Sequence, residues 1–199
     1  LSQGDWDYRL LPIFHNRAFA YTTHIWTHAD AGIEKPEDLK GKRIGVFDYQ
    51  QSSALWTRGQ LKDEFGVKPE DMIWYQERPE KHSMSATVRP FTPPPGLDFR
   101  YAPTDFATMF LNREIDAGSI LHHPAGAALE RPKVDLTDHP KLKPLFADPK
   151  AEAIRYYKKN GIFPTHHTTI IRGSIIRKHP WVATSLMEAF EKAKELSLQ

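Results

Sequence analysis

The stretch FDYQQSSALWTRGQLKDEFG (residues 47–66) decides the fold, because it reads as the end of a strand, a polar turn and a helix. Apolar residues at helical spacing predict a helix over Ser53–Phe65, and Gly66 is placed to end it. Short apolar runs at Arg43–Phe47 and Met72–Tyr75 predict a strand on either side. Strand, helix and strand within about 30 residues form a βαβ unit, so we predict an α/β fold with a right-handed crossover.

Further elements are predicted outside this unit. An aromatic and β-branched segment at Ala18–Thr27 predicts a strand, and Thr104 is expected to cap a short helix. Two proline-rich segments, 79–103 and 124–148, are expected to be irregular. The remaining predicted elements are a strand at Ile115–Leu121, a helix at Pro149–Asn160, a strand at Thr168–Ile171 and an amphipathic helix that starts near Pro180.

Composition excludes several classes of protein. The chain has 199 residues, of which 40% are hydrophobic, and this suits a globular protein of one or two domains. A net charge of +2 and the lack of a basic run give no support for nucleic-acid binding. The absence of cysteine excludes disulfides, thiolate zinc sites and cysteine nucleophiles. No run of about 18 apolar residues is present, so no membrane span is predicted.

Arg58 interrupts the apolar pattern of the predicted helix. With Ala54 set at 0° on a helical wheel, Arg58 falls at about 40°, on the face that should pack against the sheet. Trp56 falls at about 200°, on the polar face. Such breaks in the pattern are typical of functional or strained sites. Arg58 either pairs with a buried carboxylate or reaches water along the sheet edge, or it points into a ligand cleft.

The turn before the helix favours the ligand cleft. Residues 49–53 lie at the C-terminal end of a strand, where open α/β sheets bind ligands. The turn leads into a helix N-terminus, whose free N–H groups attract anions. Ser52 and Ser53 add hydroxyl groups, although either could simply cap the helix. With the Arg58 guanidinium nearby, the pattern predicts a site for a small anion, most simply a carboxylate.

Four blocks of sequence resemble the 4,5-dihydroxyphthalate decarboxylase family, which is similar in fold to type 2 periplasmic solute-binding proteins. The combination of YQ, S and WTRG in residues 49–59 with GIFPTHH in residues 161–167 is the most specific part of this resemblance. The blocks are LPIFHNRAF (11–19), PEDLKGKRIGVFDYQQSSALWTRGQLKDEFGV (36–67), NREIDA (112–117) and YYKKNGIFPTHHTTIIRGSIIRKHPWVATSLMEAFEKAKE (156–195).

The resemblance implies two α/β lobes with a ligand between them. Residues 1–28 and 164–199 would be parts of a first, incomplete lobe, and residues 29–163 would form the second. The implied activity is that of a carboxy-lyase, which removes one carboxylate from 4,5-dihydroxyphthalate to give protocatechuate without an organic cofactor. We therefore expect a small aromatic carboxylate as the ligand.

The resemblance also suggests roles for individual residues. Arg17 and Arg58 would hold the carboxylates, assisted by Ser52 and Ser53. His167 would donate or accept the proton, since the pKa of histidine suits this role at neutral pH; the alternative is a structural histidine that bonds a backbone carbonyl. Tyr49 would bind a ring hydroxyl, stack on the ring or simply form part of the wall, and Trp56 would contact the substrate.

A second function remains open, because a solute-binding protein of an ABC-type transporter would share the cleft and the carboxylate clamp. The two functions differ in whether an acid–base group meets the ring. We expect a cytoplasmic location for the enzyme, and a periplasmic one if a leader has been removed upstream of Leu1. No metal site is predicted, because neighbouring histidines such as His166 and His167 point to opposite faces of a strand. The oligomeric state is not predicted.

Overall fold

The computed structural model describes residues 6–17, 19–83, 91–119 and 134–197, without the side chains of residues 14–17 and 20. Within these ranges the elements are β1 (Tyr8–Arg17), α1 (Ala20–Thr23), β2 (Trp26–His28), β3 (Arg43–Val46), α2 (Ser52–Phe65), β4 (Ile73–Gln76), β5 (Asp98–Tyr101), α3 (Phe106–Leu111), β6 (Ala117–Gly118), β7 (Leu142–Pro144), α4 (Pro149–Asn160), β8 (Thr165–Arg172), α5 (Gly173–Lys178) and α6 (Trp181–Ser197). None of the helices in these ranges is long and apolar enough to cross a membrane.

The chain divides into two compact units. The small unit comprises Leu1–Ala18 and Phe163–Gln199, and the large unit comprises Phe19–Ile162. Residues 19–28, which the sequence analysis assigned to the first lobe with residues 1–18, belong to the large unit. They do so because β2 lies between β6 and β7 in the sheet of that unit. That the two units correspond to the two lobes of a binding protein stays a prediction.

The large unit is built on a six-stranded sheet with the order β5-β4-β3-β6-β2-β7. Strands β5, β4, β3 and β6 are parallel to one another, and β2 runs antiparallel to both of its neighbours. Strands β3 and β4 pair in parallel and are joined by α2, so the predicted βαβ unit is confirmed. Gly66 ends α2 in the left-handed conformation, with φ of 64°.

Apolar residues cover both faces of this sheet. One cluster includes Tyr21, Leu61 and Trp74, all of them almost completely buried. The second cluster is formed largely by α3 and includes Phe106 and Phe110. Helices on both faces of a mostly parallel sheet confirm the predicted α/β class.

Four predicted elements differ from the structure, and one of them is the second proline-rich segment, 124–148, which contains β7 (Leu142–Pro144). Where a strand was predicted over Ala18–Thr27, residues 20–23 form α1 and residues 26 and 27 begin β2; the Thr22 hydroxyl donates to the Phe19 carbonyl at 2.8 Å within the helical turn. The proline-rich segment 79–103 contains β5, which is stabilised by its pairing with β4. Asp105 rather than Thr104 caps α3, since its carboxylate accepts a bond from the Thr108 N–H at 3.0 Å.

The small unit contains a two-stranded antiparallel sheet of β1 and β8, followed by α5 and α6. The register of the two strands shifts between Leu10 and Phe14. At this irregularity the Thr168 hydroxyl donates to the carbonyls of Leu11 and Ile13, at 2.9 and 2.7 Å. A side chain therefore replaces bonds that a regular ladder would supply.

Candidate functional site

The turn between β3 and α2 is fixed by a buried carboxylate. Asp48 accepts hydrogen bonds from the Gln50 N–H and from the Ser83 hydroxyl, both at 3.0 Å. Its carbonyl accepts a further bond from the Gln51 N–H at 3.1 Å. The turn lies at the C-terminal end of a parallel strand, where open α/β sheets bind ligands. The hydrogen bonds of Asp48 therefore set the conformation of this turn.

The N-terminus of α2 is open to an anion. Gln51, the N-cap residue, makes no capping bond with its side chain, whose amide instead contacts the Ser53 hydroxyl. The first turn contains no acidic residue, and Ser52 is exposed. The first N–H groups of a helix have no partner within the helix and carry a partial positive charge. This end of α2 therefore favours negative charge.

Arg58 places a positive charge beside this turn. Its Nη1 donates to the Tyr49 carbonyl at 2.7 Å, and its guanidinium lies 3.7 Å from the centre of the Tyr49 ring. The Trp74 ring is also close, at 6.0 Å. Among the described residues, no carboxylate lies within ion-pair distance of Arg58. The arginine is therefore held by an aromatic ring and a carbonyl, and the described residues supply no counter-ion for its charge.

The pKa of Arg58 reflects its partial burial. Burial lowers the pKa of the Arg58 guanidinium, and the neighbouring Tyr49 partly opposes the effect. A partly buried cation without a counter-charge raises the free energy of the folded protein, because it has lost part of its hydration. An anionic ligand that reached the guanidinium would recover some of that free energy.

The buried ring of Tyr49 packs against the Arg58 guanidinium. The tyrosine is 5% exposed, and its ring packs against Trp74, Phe91 and Phe99 at centroid distances of 5.3, 5.3 and 5.6 Å. Burial raises the pKa of the Tyr49 hydroxyl, an effect that Arg58 opposes. These contacts favour a supporting role for Tyr49 over direct participation in proton transfer.

A narrow cleft lies between α2 and the ends of β3 and β6. Its enclosed volume of about 20 Å³ is enough for one water molecule, whereas about 360 Å³ of empty space includes the solvent at its mouth. Leu61 and Trp74 contribute to its apolar wall, and the polar residues His24, Ser53, Thr57 and Ser119 also line it. Ser53 thus belongs both to the first turn of α2 and to the cleft.

The β3–α2 connection brings together most of the predicted site residues. Tyr49, Ser52, Ser53 and Arg58 all lie along the turn and α2, as described above. Trp56 is half-buried on the same helix and is not part of the cleft lining. Trp74 joins the two features, since it lines the cleft and also lies near Arg58.

The other predicted site residues lie in the small unit. Arg17 is the last residue of β1 and pairs with Thr165, but its side chain lies outside the described residues. His167 is exposed on β8 and pairs with Asn16. The neighbouring His166 is more buried, and its Nε2 has no hydrogen-bond partner among the described residues. Burial and then the charge of His167 lower the pKa of His166.

Sequence reasoning missed His24 and Ser119 as site residues. His24 follows α1 in a segment that was predicted to be a strand, and no motif marks it. Ser119 comes directly after β6, so its position after a buried strand is the signal that could have revealed it. In the part of the chain that the structure describes, no group of three or more His, Asp or Glu residues could hold a metal ion. The adjacent histidines His122 and His123, which could join a metal site only together with ligands from other segments, lie outside the described residues.

Two comparisons with known proteins concern the fold of this chain. Residues 6–88 match the family model for the periplasmic substrate-binding protein of a phosphonate ABC transporter. The fold is similar to that of the periplasmic aliphatic sulphonate binding protein SsuA from Escherichia coli, with a TM-score of 0.55 and 15% sequence identity. The match covers 98% of this chain and 51% of SsuA. The chain therefore has a periplasmic-binding-protein-like fold, as predicted.

Two proteins with the same enzyme name are similar to this chain in sequence. A 4,5-dihydroxyphthalate decarboxylase of Comamonas testosteroni is 34% identical over 201 residues, which cover 98% of this chain and 57% of the relative. A protein of the same name from Pseudomonas putida is 31% identical over 78% of this chain and 57% of its own length. The chain is similar in sequence to these two 4,5-dihydroxyphthalate decarboxylases, and it spans a little over half of their length.

Proposed function

We propose that this protein decarboxylates 4,5-dihydroxyphthalate, or a related hydroxylated aromatic dicarboxylate, as a carboxy-lyase. The names of both relatives support this proposal. The observation that carries it in the structure is Arg58, a partly buried guanidinium beside an open helix N-terminus with no carboxylate partner among the described residues. This arrangement suits an acidic substrate.

One substrate carboxylate binds at the start of α2. The first helical turn has N–H groups without a partner inside the helix, and it contains Ser52 and Ser53. The Arg58 guanidinium donates to the carbonyl of Tyr49 in the turn that precedes this helix. Hydrogen bonds between charged partners are about twice as strong as neutral ones. The contact therefore supplies much of the affinity and fixes the orientation of the ring.

The reaction needs a proton donor and an electron-rich ring. A hydroxyl para to the leaving carboxylate supplies electron density, a general acid protonates the ring carbon, and carbon dioxide leaves. We assign the donor role to His167, and we assign Arg17 to the second carboxylate. Trp56 contacts the substrate from α2, while Tyr49 positions Arg58. No organic cofactor or metal ion takes part in this proposal.

The test is to incubate the purified protein with 4,5-dihydroxyphthalate and to quantify carbon dioxide and protocatechuate. Equal amounts of both products are expected, matching the substrate consumed. Lys62→Ala is the matched control for Arg58→Ala, since Lys62 is an exposed cation on the same helix. Only the Arg58 variant should lose activity. Tight binding of the substrate by the unaltered protein without any product would overturn the proposal.

A second candidate function is delivery of a small organic anion to an ABC-type transporter. The family model and the similarity to SsuA favour it, since both belong to periplasmic binding proteins. The two candidates also differ in location, because the enzyme would be cytoplasmic and the binding protein periplasmic. Fractionation of cells that produce the protein from its complete gene separates them: recovery in the periplasm, with binding but no turnover, would favour transport.

A further inference from the structure

The cleft beside α2 is too small for the aromatic ring of a substrate. Its enclosed volume is about 20 Å³, whereas a protein cavity that admits benzene measures about 150 Å³. A single ring substituent is of the right size. The cleft can therefore recognise one group projecting from a ring that stays outside it.

Away from the first turn of α2, the lining of the cleft is largely apolar. Leu39, Leu61 and Trp74 are almost completely buried and supply much of its wall, and none of the described residues that line it is a lysine or an arginine. Burying an ionised carboxylate against such a wall would cost a large free energy of dehydration. A hydroxyl group costs much less if it finds a hydrogen-bond partner, and the polar residues that line the cleft include His24 and Ser119.

We propose that this cleft is the subsite for a ring hydroxyl and that His24 binds this hydroxyl and accepts its proton. The inference rests on the proposed decarboxylase function and names a further residue for it. Ser53 connects the two parts of the site, because it lies in the first turn of α2 and also lines the cleft. A ring whose carboxylate is held at the start of α2 can thus present its hydroxyl edge to the cleft.

The proton accounting for His24 is balanced. The hydroxyl O–H bond breaks, its proton moves to an imidazole nitrogen, and an oxygen electron pair shifts into the ring. The general acid adds a proton to the carboxylated carbon. The bond to the carboxylate then breaks, and its electron pair returns to the ring as carbon dioxide leaves. The proton on His24 returns to the oxygen, so one proton from solvent is consumed in each turnover.

Two ligands separate hydroxyl recognition from carboxylate binding. Phthalate carries both carboxylates but lacks the hydroxyls, so calorimetric titration with phthalate and with 4,5-dihydroxyphthalate measures the two contributions. We expect His24→Ala to weaken binding of 4,5-dihydroxyphthalate about tenfold or more and to change phthalate binding less than twofold. His82→Gln is the control, since His82 is an exposed histidine of the same unit. It should change neither affinity.

The steady-state kinetics of a second variant test whether His24 accepts the proton. His24→Gln keeps a hydrogen-bond donor and a similar volume but cannot accept the proton, so kcat should fall about 100-fold or more with little change in KM. Equal weakening of both ligands by His24→Ala, or normal kcat in His24→Gln, would overturn the role of His24 and leave the proposed function intact. Absence of turnover in the unaltered protein would instead overturn the proposed function. Thermal melting identifies any variant that fails to fold.

Discussion

Arg58 keeps a positive charge in a partly buried place where the described residues provide no carboxylate to balance it. A residue kept for stability would be expected to have such a partner, because an unpaired buried charge is costly. The Tyr49 ring and carbonyl hold the guanidinium in one orientation without neutralising it. This is the property that an anion-binding residue requires.

Arg58→Met separates binding from stability. We expect binding of 4,5-dihydroxyphthalate to weaken by about 2–5 kcal/mol, because the carboxylate loses its charged partner. The free energy of unfolding should fall by no more than about 1 kcal/mol, since removal of an unpaired charge offsets the lost contact with Tyr49. Calorimetric titration and urea denaturation measure the two quantities. A large loss of stability with unchanged affinity would show that Arg58 is structural.

The two neighbouring histidines of β8 offer a matched comparison. His167→Ala should lower kcat about 100-fold or more while KM changes little, because a general acid acts mainly in the transition state. His166→Ala should affect stability more than kcat, since His166 is the more buried of the two. Steady-state kinetics and thermal melting of both variants test this assignment. Unchanged turnover in His167→Ala would remove this residue from the mechanism.

At the scale of elements, the β3–α2–β4 unit could be predicted because its periodicity, its polar turn and Gly66 all agree. Strand β5 could not, because its stability comes from pairing with β4 rather than from its own composition. In the segment Ala18–Thr27, local bonds of Thr22 outweighed the strand propensity of the sequence. An anion site at the β3–α2 turn stays a prediction from Arg58 and the two serines, whereas the position of His24 could not be predicted, because only the tertiary fold brings it to the cleft.

Close contact between β3 and β6 depends on Gly118. Its φ is 136°, and a Cβ atom there would lie 2.0 Å from the Gly45 carbonyl oxygen. Gly118→Ala should therefore lower the free energy of unfolding by more than about 3 kcal/mol. Gly59→Ala is the control, because Gly59 lies within α2 with open space around it, and it should stabilise the protein by about 0.5–1 kcal/mol. Urea denaturation measures both; equal effects would contradict the close approach.

The ion pair between β3 and the start of β6 gives the large unit a pH-dependent stability. Burial alone would raise the pKa of Asp116, but bonds from the Arg43 side chain and N–H outweigh it and hold this pKa below its ordinary value. The stabilisation is therefore present above the pKa of unfolded Asp, about 3.9, and is lost as the pH falls through the lower folded pKa.

Asp116→Asn should cost about 2 kcal/mol of unfolding free energy at pH 7. The difference from the unaltered protein should shrink as the pH falls below about 4. Denaturant unfolding of both proteins between pH 7 and pH 3 measures this difference. A difference that stays constant across the range would show that the Asp116 carboxylate does not stabilise the fold through its charge.

At the scale of the whole molecule, a binding-protein-like fold occurs in a chain that is similar in sequence to two decarboxylases. The same open helix end that suits a transported anion also suits a substrate carboxylate, so fold and clamp alone do not distinguish transport from catalysis. Homology to the two decarboxylases supports catalysis, and the proposed acid–base groups His167 and His24 are what catalysis would require in addition.

The most direct test compares carbon dioxide release from carboxyl-labelled 4,5-dihydroxyphthalate by the unaltered protein, Arg58→Ala and Lys62→Ala. The account predicts steady release by the unaltered protein and by Lys62→Ala, and a kcat/KM at least about 100-fold lower for Arg58→Ala. Equal release by all three proteins would contradict the carboxylate clamp at Arg58, and no release by any of them would contradict the decarboxylase itself.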